Sequence, residues 1–237
     1  MTDQLNSTMP NILILGIGNL LWADEGFGVR AVERLQQRFA FPDNVRLMDG
    51  GCQGVYLIQH VQDADVLIVL DAVDFGMEGG EMTLHYDKDV PSYLGAKKVS
   101  LHQTGFQEVL ALADMLGQSP EHIMLVGVQP VNMEDYGGSL TEKVKNKLDP
   151  AGDAAIEYLQ RFGVEAFPRS VPVSSDDALT AAELDISRYE AERPDEISAC
   201  RVGDERVLLN PEASFEPKRV LSDSDAYSVS LDKRRQD

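Results

Sequence analysis

Three side chains able to bind a divalent metal lie in segments predicted to run from strand through tight loop to helix. Glu25 lies in GIGNLLWADEGFG, Asp71 in VLIVLDAV and His102 in SLHQTG. In an open α/β sheet the loops at the carboxyl ends of the strands open onto one edge, so residues distant in sequence converge there. A Glu, an Asp and a His together favour a site for a divalent transition metal.

Most of these acidic and imidazole groups also have a purely structural explanation. Asp24 could cap the helix that follows, and Glu25 could stabilise its first turn through the helix dipole. His102 alone is more typical of a hydrogen-bonded loop histidine. Asp71 is harder to explain structurally, because a carboxylate at the end of a buried strand needs a partner. The metal-site hypothesis therefore depends on all three predicted ligands reaching the same edge.

Gly16 and Gly18 after a buried strand could also indicate a dinucleotide-binding loop, but the rest of that motif is absent. The third glycine of G-x-G-x-x-G would stand where the chain has Leu21. Two acids, Asp24 and Glu25, precede the helix whose N-terminus a pyrophosphate would occupy, and they would repel it. The sequence therefore argues against a nucleotide-binding protein.

Strands alternate with helices along most of the chain, which predicts an α/β domain with a mostly parallel sheet covered on both faces. Short apolar runs predict strands at Asn11–Gly18, Val45–Met48, Asp65–Val73, Glu81–Tyr86 and His122–Val128. Helical spacing of apolar residues predicts helices at Gly26–Phe39, Gly54–Val61 and Gly105–Leu116. A further helix should reach about Phe162, and Ser139 with Glu142 matches a capping box at its start.

Composition excludes several classes of protein. The 237 residues include 40 acids and 21 bases, a formal charge of −19, which argues against binding nucleic acid or an anionic membrane through bulk charge. Cys52 and Cys200 form no CxxC pair, so a disulfide scaffold is not expected. No signal peptide or membrane-spanning apolar run is recognised. We therefore expect a cytoplasmic protein without membrane insertion.

The chain changes character towards its C-terminus. Residues 1–10 form an N-terminal extension, and the strand–helix alternation fills residues 11–168. Residues 169–237 combine prolines, mixed charges with an acidic excess and scattered apolar residues, which predicts a mobile or loosely packed extension. Within it, Ala178–Leu184 could form a short helix and Ile197–Leu209 a small hairpin.

Five segments together resemble the nickel–iron hydrogenase maturation endopeptidases, in the family's order and approximate spacing. They are GIGNLLWADEGFG, DGG (Asp49–Gly51), LDAV (Leu70–Val73), HQTG (His102–Gly105) and VGVQP (Val126–Pro130). No segment is specific alone, but the combination is. The chain is similar to this family over residues 11–168, and it looks like the branch that serves membrane-bound (uptake) hydrogenases.

The resemblance implies an endopeptidase that removes a short C-terminal extension from the hydrogenase large-subunit precursor after nickel insertion. It also implies a twisted, mainly parallel five-stranded sheet between helices. Glu25, Asp71 and His102 stand at the positions of the family's metal-binding residues. The metal is expected to be nickel supplied by the precursor, and the partner is therefore the nickel-loaded precursor. No further subunit is needed to complete the core, which is compatible with a monomer.

The sequence leaves the catalytic role of these residues open. An ion with three protein ligands could polarise the scissile carbonyl or lower the pKa of a water. The family is classed with aspartic-type peptidases, so Asp71 could instead be the general base. No serine or cysteine is paired with an obvious histidine base, so a covalent nucleophile is not indicated. A noncatalytic nickel-sensing chaperone of the large subunit would use the same three side chains and is the alternative.

Residues beside the three predicted ligands could support the site. Asp24 could cap the loop helix and aim Glu25, and Asp49 could join the loops by hydrogen bonds. Gly50 and Gly51 could admit a substrate backbone or simply form a tight turn.

Other neighbours have a packing role as the competing explanation. Cys52 is expected to be a buried, inert thiol. Trp22 and Phe27 could form an apolar docking surface or pack in the core. Gln103 and Thr104 could orient His102 or contact the substrate.

Overall fold

A five-stranded sheet organises the part of the chain that the computed structural model describes: residues 9–90 and 101–195, with only the backbone for residues 101–105. Its strands are β1 (Ile12–Ile17), β3 (Val45–Gly51), β4 (Val66–Ala72), β5 (Met82–Tyr86) and β6 (His122–Val128). They lie in the order β3-β1-β4-β6-β5. All are parallel except β5, which is antiparallel to β6. The predicted mostly parallel, five-stranded sheet is confirmed. A separate antiparallel pair joins β2 (Phe39–Ala40) to β7 (Phe167–Pro168).

Helices cover both faces of the sheet, as predicted. One face packs against α1 (Phe27–Arg38), α4 (Glu142–Lys145) and α5 (Leu148–Gln160), and the other against α2 (Ile58–Gln62) and α3 (Leu101–Met115). A last helix, α6 (Ile186–Ala191), lies in the C-terminal segment. Among the described residues no helix is both long and apolar enough to cross a bilayer.

The central strands are apolar throughout because both of their faces are buried. Along β1, Ile12 and Ile14 point into the core beneath α1, whereas Leu13 and Leu15 point into the core beneath α3. Every residue of β1 and β4 is buried. Such continuous apolar runs are typical of parallel strands between two helical layers, which is why the sequence located these strands well.

Glycines let the start of α1 pack directly on the backbones of β1 and β4. A Cβ at Gly28 would lie 2.0 Å from the Leu70 carbonyl oxygen and 2.3 Å from that of Ile17. A Cβ at Gly16 would lie 2.3 Å from the Gly28 carbonyl oxygen. These separations are far below van der Waals contact, so only glycine fits at either position. The turn that precedes α1 is therefore held against the carboxyl ends of both strands.

The predicted capping box at Ser139 is wrong. The first short helix after β6 is α4, whose N-cap residue is Thr141, and the Ser139 hydroxyl donates instead to Glu190 in the C-terminal segment (2.8 Å). The helical region then breaks before α5 begins. Pro150 lies in the first turn of α5, where its missing N–H leaves no hydrogen bond unmade.

The helix that carries His102 begins earlier than predicted. Sequence periodicity placed its start at Gly105, but α3 begins at Leu101. His102 is therefore the second residue of a helix rather than part of a loop after a parallel strand. The segment that connects β5 to this helix includes residues 91–100, which lie outside the described residues.

The first part of the C-terminal extension packs along α1. Arg169 donates from its backbone N–H to the Arg38 carbonyl (2.8 Å), and residues up to Asp195 belong to the same compact unit as the sheet. These contacts are made by polar groups that a hydropathy pattern does not detect, and the mobility of residues 169–237 stays a prediction. The predicted helix at Ala178–Leu184 is reduced to a 3-10 turn at Ala182–Leu184. The predicted hairpin and the rest of residues 196–237 lie outside the described residues.

Replacing Gly28 with alanine should destabilise the protein by about 3 kcal/mol, because the added methyl group would collide with backbone atoms that cannot move aside. Urea unfolding followed by circular dichroism measures the loss. Gly137→Ala is the matched control, since Gly137 has a φ of +70° but no atom within 4 Å of an added Cβ. The free energy of unfolding of this control should fall by about 1 kcal/mol. Equal losses of stability in both variants would contradict the packing argument.

Candidate active site

A buried carboxylate, Asp71, lies at the carboxyl end of the central strand β4. Asp71 is 0% exposed, and its backbone pairs with Gly127 of β6. Burying an ionisable group among apolar strand residues is unfavourable unless polar groups surround it. A carboxylate at the open end of such a strand therefore indicates a function at this edge rather than a role in packing.

Glu25 lies in the 3-10 turn Ala23–Gly26, which joins β1 to α1. Its N–H donates to the Trp22 carbonyl (2.9 Å), and its carbonyl accepts from the Asn19 N–H (3.0 Å). Gly18 lets this turn fold against β1, because its φ is +147° and a Cβ there would lie 2.0 Å from the Glu25 carbonyl oxygen. The backbone thus fixes the position of Glu25, which remains partly exposed.

The thiol of Cys52 marks the place where three carboxylates approach one another. Cys52 follows β3, and its Sγ donates to the Gly18 carbonyl (3.5 Å). Partial burial raises the pKa of the thiol, and the negative charges of Glu25, Asp49 and Asp71 raise it further. The structure therefore brings Glu25 and Asp71 to one edge of the sheet, where parallel strands place the loops at their carboxyl ends.

The backbone of His102 lies in the first turn of α3. Helix α3 packs on the sheet face that holds Leu67, Val69 and Leu125, and it ends at Met115, seven residues before β6 begins at His122. A helix that connects back to a parallel strand in this way runs opposite to that strand. The first turn of α3 therefore points towards the same edge as the carboxyl ends of β4 and β6.

The structure thus describes the three predicted ligands to different extents. The structure fixes the turn of Glu25 and the buried position of Asp71, but for His102 it describes the backbone alone. Within the side chains that are described, no group of three His, Cys, Asp or Glu residues is arranged to hold a metal ion. A donor set completed by His102 stays a prediction, with two carboxylates and an imidazole as the chemically suitable donors.

Asp24 does not cap the helix that follows it, contrary to the prediction. It is 0% exposed and reaches across to the loop of residues 131–141, which connects β6 to α4. Its carboxylate accepts from the N–H groups of Val131 (2.8 Å), Asn132 (2.9 Å) and Thr141 (2.7 Å) and from the Thr141 hydroxyl (3.0 Å). Asp24 therefore ties the turn of Glu25 to this loop.

The loops after β1 and β3 are joined by backbone rather than by the Asp49 side chain. The Gly18 N–H donates to the Gly51 carbonyl (3.1 Å), and Gly51 has a φ of +44°. Burial raises the pKa of Asp49, and a hydrogen bond from the Gly51 N–H partly offsets this rise. Gly51 therefore forms a tight turn, which is one of the two roles predicted for it.

Cys52 is exposed rather than buried, which corrects the prediction of a buried thiol. It directly follows β3 at the carboxyl edge of the sheet. Its Sγ is nevertheless turned towards the Gly18 carbonyl and the three carboxylates, so the raised pKa leaves little thiolate at neutral pH.

Comparison with known proteins gives the family. The sequence model for the HycI hydrogenase maturation proteases matches residues 29–158, more than half of the chain. This chain belongs to the hydrogenase maturation protease family. The predicted resemblance is thereby confirmed, and the family is one of hydrolases that act as endopeptidases.

Individual relatives agree with this assignment. HupD from Thiocapsa roseopersicina, a hydrogenase expression/formation protein, is 56% identical over 201 residues, which are 85% of this chain and 91% of the relative. The hydrogenase 2 maturation protease of Escherichia coli K12 is 40% identical over 159 residues, 67% of this chain and 96% of the relative. The solved structure of the E. coli hydrogenase maturating endopeptidase HybD superposes with a TM-score of 0.65 at 39% identity and covers 68% of this chain and 98% of its own.

An apolar rim lies beside Glu25 in this family member. It consists of exposed large side chains on two adjoining loops: Leu21 (44% exposed), Trp22 (36%), Val131 (50%) and Tyr136 (45%). The rings of Trp22 and Tyr136 meet edge to face with centroids 5.2 Å apart, and the Gly137 N–H donates to the Leu21 carbonyl (2.8 Å). Of the two predicted docking aromatics, Trp22 lies on this rim, whereas Phe27 is fully buried in the core.

Gln129 is a site-supporting residue that the sequence did not single out, although it lies in the VGVQP segment. It is 6% exposed, and its side-chain oxygen accepts from the N–H groups of Phe75 (2.8 Å) and Met77 (3.1 Å). Its amide nitrogen donates to Asp74 Oδ1 (2.9 Å). Gln129 therefore fixes the loop that follows Asp71. A polar residue directly after a buried strand was the available signal.

Asp24→Asn should lower the free energy of unfolding by about 3 kcal/mol, because the carboxylate accepts several charge-assisted hydrogen bonds and an amide nitrogen would face their donors. Thermal and urea unfolding measure the loss. The exposed Asp63 supplies the control, since Asp63→Asn removes a carboxylate of the same size from the surface. If both variants unfold at the same urea concentration, Asp24 does not hold the loop.

Glu25→Gln should make Cys52 more reactive. Removing the negative charge lowers the pKa of the thiol, so the thiolate fraction rises and iodoacetamide should react about threefold faster at pH 8. A Cys200→Ser background leaves Cys52 as the single thiol. Asp43→Asn, at the opposite end of β3, should leave the rate unchanged. Unchanged rates in both variants would show that Glu25 does not approach Cys52.

Proposed function

We propose that this protein is the endopeptidase that removes the C-terminal extension of a nickel–iron hydrogenase large-subunit precursor after nickel insertion. The observation that carries the proposal is the convergence of Glu25 and Asp71 at the carboxyl edge of the sheet, in a chain of the maturation protease family. In this proposal Glu25, Asp71 and His102 contact the nickel of the bound precursor. The metal is then part of the substrate.

A substrate-borne nickel explains how cutting can wait for metal insertion. Two carboxylates brought to one edge repel one another, and a divalent cation offsets this repulsion when the loaded precursor binds. A precursor without nickel supplies no such attraction. Nickel-dependent binding at Glu25, Asp71 and His102 then places the scissile peptide beside the same groups.

Hydrolysis by a water molecule fits this site better than a covalent thiol intermediate. Cys52 is the thiol closest to the predicted ligands in sequence, and the negative charges around it raise its pKa and disfavour the nucleophilic thiolate. Asp71, buried at the end of β4, is the proposed general base that takes the proton of the attacking water. The proton then passes to the leaving amine, so that the two products are a shortened large subunit and a free peptide.

The direct test uses a purified hydrogenase large-subunit precursor, with and without inserted nickel, and reads intact mass after incubation with the protein. We expect a discrete C-terminal loss from the nickel-loaded precursor alone. Equal cutting of both forms would contradict the nickel dependence. Binding without any change in mass would replace the endopeptidase by a noncatalytic nickel-sensing chaperone.

Substitutions of the predicted ligands should impair cleavage without unfolding the protein. Asp71→Asn should reduce the cleavage rate by about a thousandfold, and His102→Ala should abolish cleavage, with Glu25→Gln severe but incomplete. His60→Ala on α2 and Asp43→Asn before β3 are the matched controls and should retain the wild-type rate. Circular dichroism checks that each variant is folded. Normal cleavage by the Asp71 or His102 variant would refute the assignment.

A further inference from the structure

A polar interface joins the C-terminal segment to α1. We call residues 169–193 the strap. At its start, the Arg169 guanidinium donates from Nε to the carbonyls of Gln36 (2.7 Å) and Phe39 (2.9 Å). The adjoining β2–β7 pair fixes the same end. The strap therefore begins where α1 ends.

The middle of the strap is held by the outer face of α1. The Gln36 side chain donates to the Asp177 carbonyl (2.8 Å) and accepts from the Leu179 N–H (3.2 Å). The Thr180 hydroxyl donates to the Glu33 carboxylate. These contacts satisfy backbone groups of a segment that has little regular structure of its own.

Arg30 and Glu33 are buried beneath the strap. They are 4% and 8% exposed and pair at 3.0 Å. The Arg30 guanidinium also donates to the Leu184 carbonyl (2.5 Å) and lies 5.6 Å from the centre of the Tyr189 ring. A buried ion pair on the side of α1 that faces away from the sheet needs polar partners, and the strap supplies them. The strap is thus a built part of the fold in this region.

The far end of the strap reaches the loop of residues 131–141. The Glu190 carboxylate accepts from Lys145 Nζ (2.8 Å) and from the Ser139 hydroxyl (2.8 Å). Arg193 Nη2 donates to Asp135 Oδ1 (2.5 Å). Asp135 immediately precedes Tyr136, whose ring packs on Trp22 of the apolar rim. The strap therefore connects α1 to the loop that forms one side of this rim.

We infer that the strap positions the apolar rim for binding of the precursor, with Glu190 and Arg193 as the positioning residues. This inference rests on the proposed function, because it takes the precursor as the occupant of the rim. Trp22 precedes Glu25 by three residues. A precursor that binds at the predicted ligands would therefore also lie beside the rim. Arg193 holds this loop at Asp135 and Glu190 holds it at Ser139, which keeps Tyr136 against Trp22.

In this role the strap affects binding of the precursor and not the chemical step. Neither Glu190 nor Arg193 contributes to the edge where Glu25 and Asp71 converge, since their partners are Ser139, Lys145 and Asp135. Loosening the loop removes an interaction that the bound precursor and the transition state share equally. Such a loss raises KM and leaves kcat unchanged.

Trp22 provides a readout that needs no substrate, because it is the single tryptophan of the chain. In the full-length Glu190→Ala/Arg193→Ala protein we expect the Trp22 emission to shift to longer wavelength and acrylamide to quench it more strongly, since Tyr136 no longer covers the indole. Arg188→Ala is the control, because the ion pairs that Arg188 makes within the described residues are with Glu183 and Glu192, both in the strap. Emission equal to wild type in the double variant overturns the inference.

The second readout is processing of the nickel-loaded precursor. The double variant should raise KM by about tenfold with an unchanged kcat, and Arg193→Lys should keep most of the wild-type KM because it retains a charge for Asp135. A shifted Trp22 emission with an unchanged KM overturns the recognition role. A fall in kcat at an unchanged KM does so as well.

Failure of this inference can be told apart from failure of the proposed function. If the wild-type protein does not cut the loaded precursor, the endopeptidase proposal fails. Two measurements then still test whether the strap positions the rim. They are the affinity of the wild-type and variant proteins for the precursor, and the Trp22 emission. Weaker precursor binding by the double variant than by Arg188→Ala supports the strap as a positioning element, and equal binding overturns it.

Discussion

Direct contact between the backbone of α1 and the strands β1 and β4 is the constraint on which the site depends. At Gly16 and Gly28 the chains approach so closely that a single methyl group would collide with a carbonyl oxygen. This contact presses the turn before α1 onto the sheet, beside the end of β4. Glu25 and Asp71 are therefore brought to one edge by the packing of backbones, and their approach needs no attraction between the two side chains, whose like charges repel.

Buried acids near this edge have different surroundings and therefore different roles. Asp24 accepts hydrogen bonds from several groups of the loop of residues 131–141 and therefore acts as a structural tie. Asp71 is instead fully buried near the carboxyl end of the apolar strand β4. The carboxylates around Cys52 raise the pKa of the thiol, which suits a site that uses water as the nucleophile.

Helix α1 links the core to the strap. Its apolar side, with Phe27 and Val32, fills the core beneath the sheet, whereas its outer side binds the strap through Arg30, Glu33 and Gln36. The same helix thus begins at the predicted ligands and supports the segment that reaches the apolar rim.

The sequence by itself determined the strands, the principal helices and the family, because continuous apolar runs report burial on both faces and the spaced motifs report a shared ancestry. It did not determine the role of Asp24, the exposure of Cys52 or the packing of the strap. These depend on partners more than thirty residues away, such as the N–H groups that bind Asp24 and the arginine buried under Leu184. Local patterns specify which residues are buried in an element. Only the tertiary structure decides which polar groups from distant segments meet, because a hydrogen bond has no periodic signature in sequence.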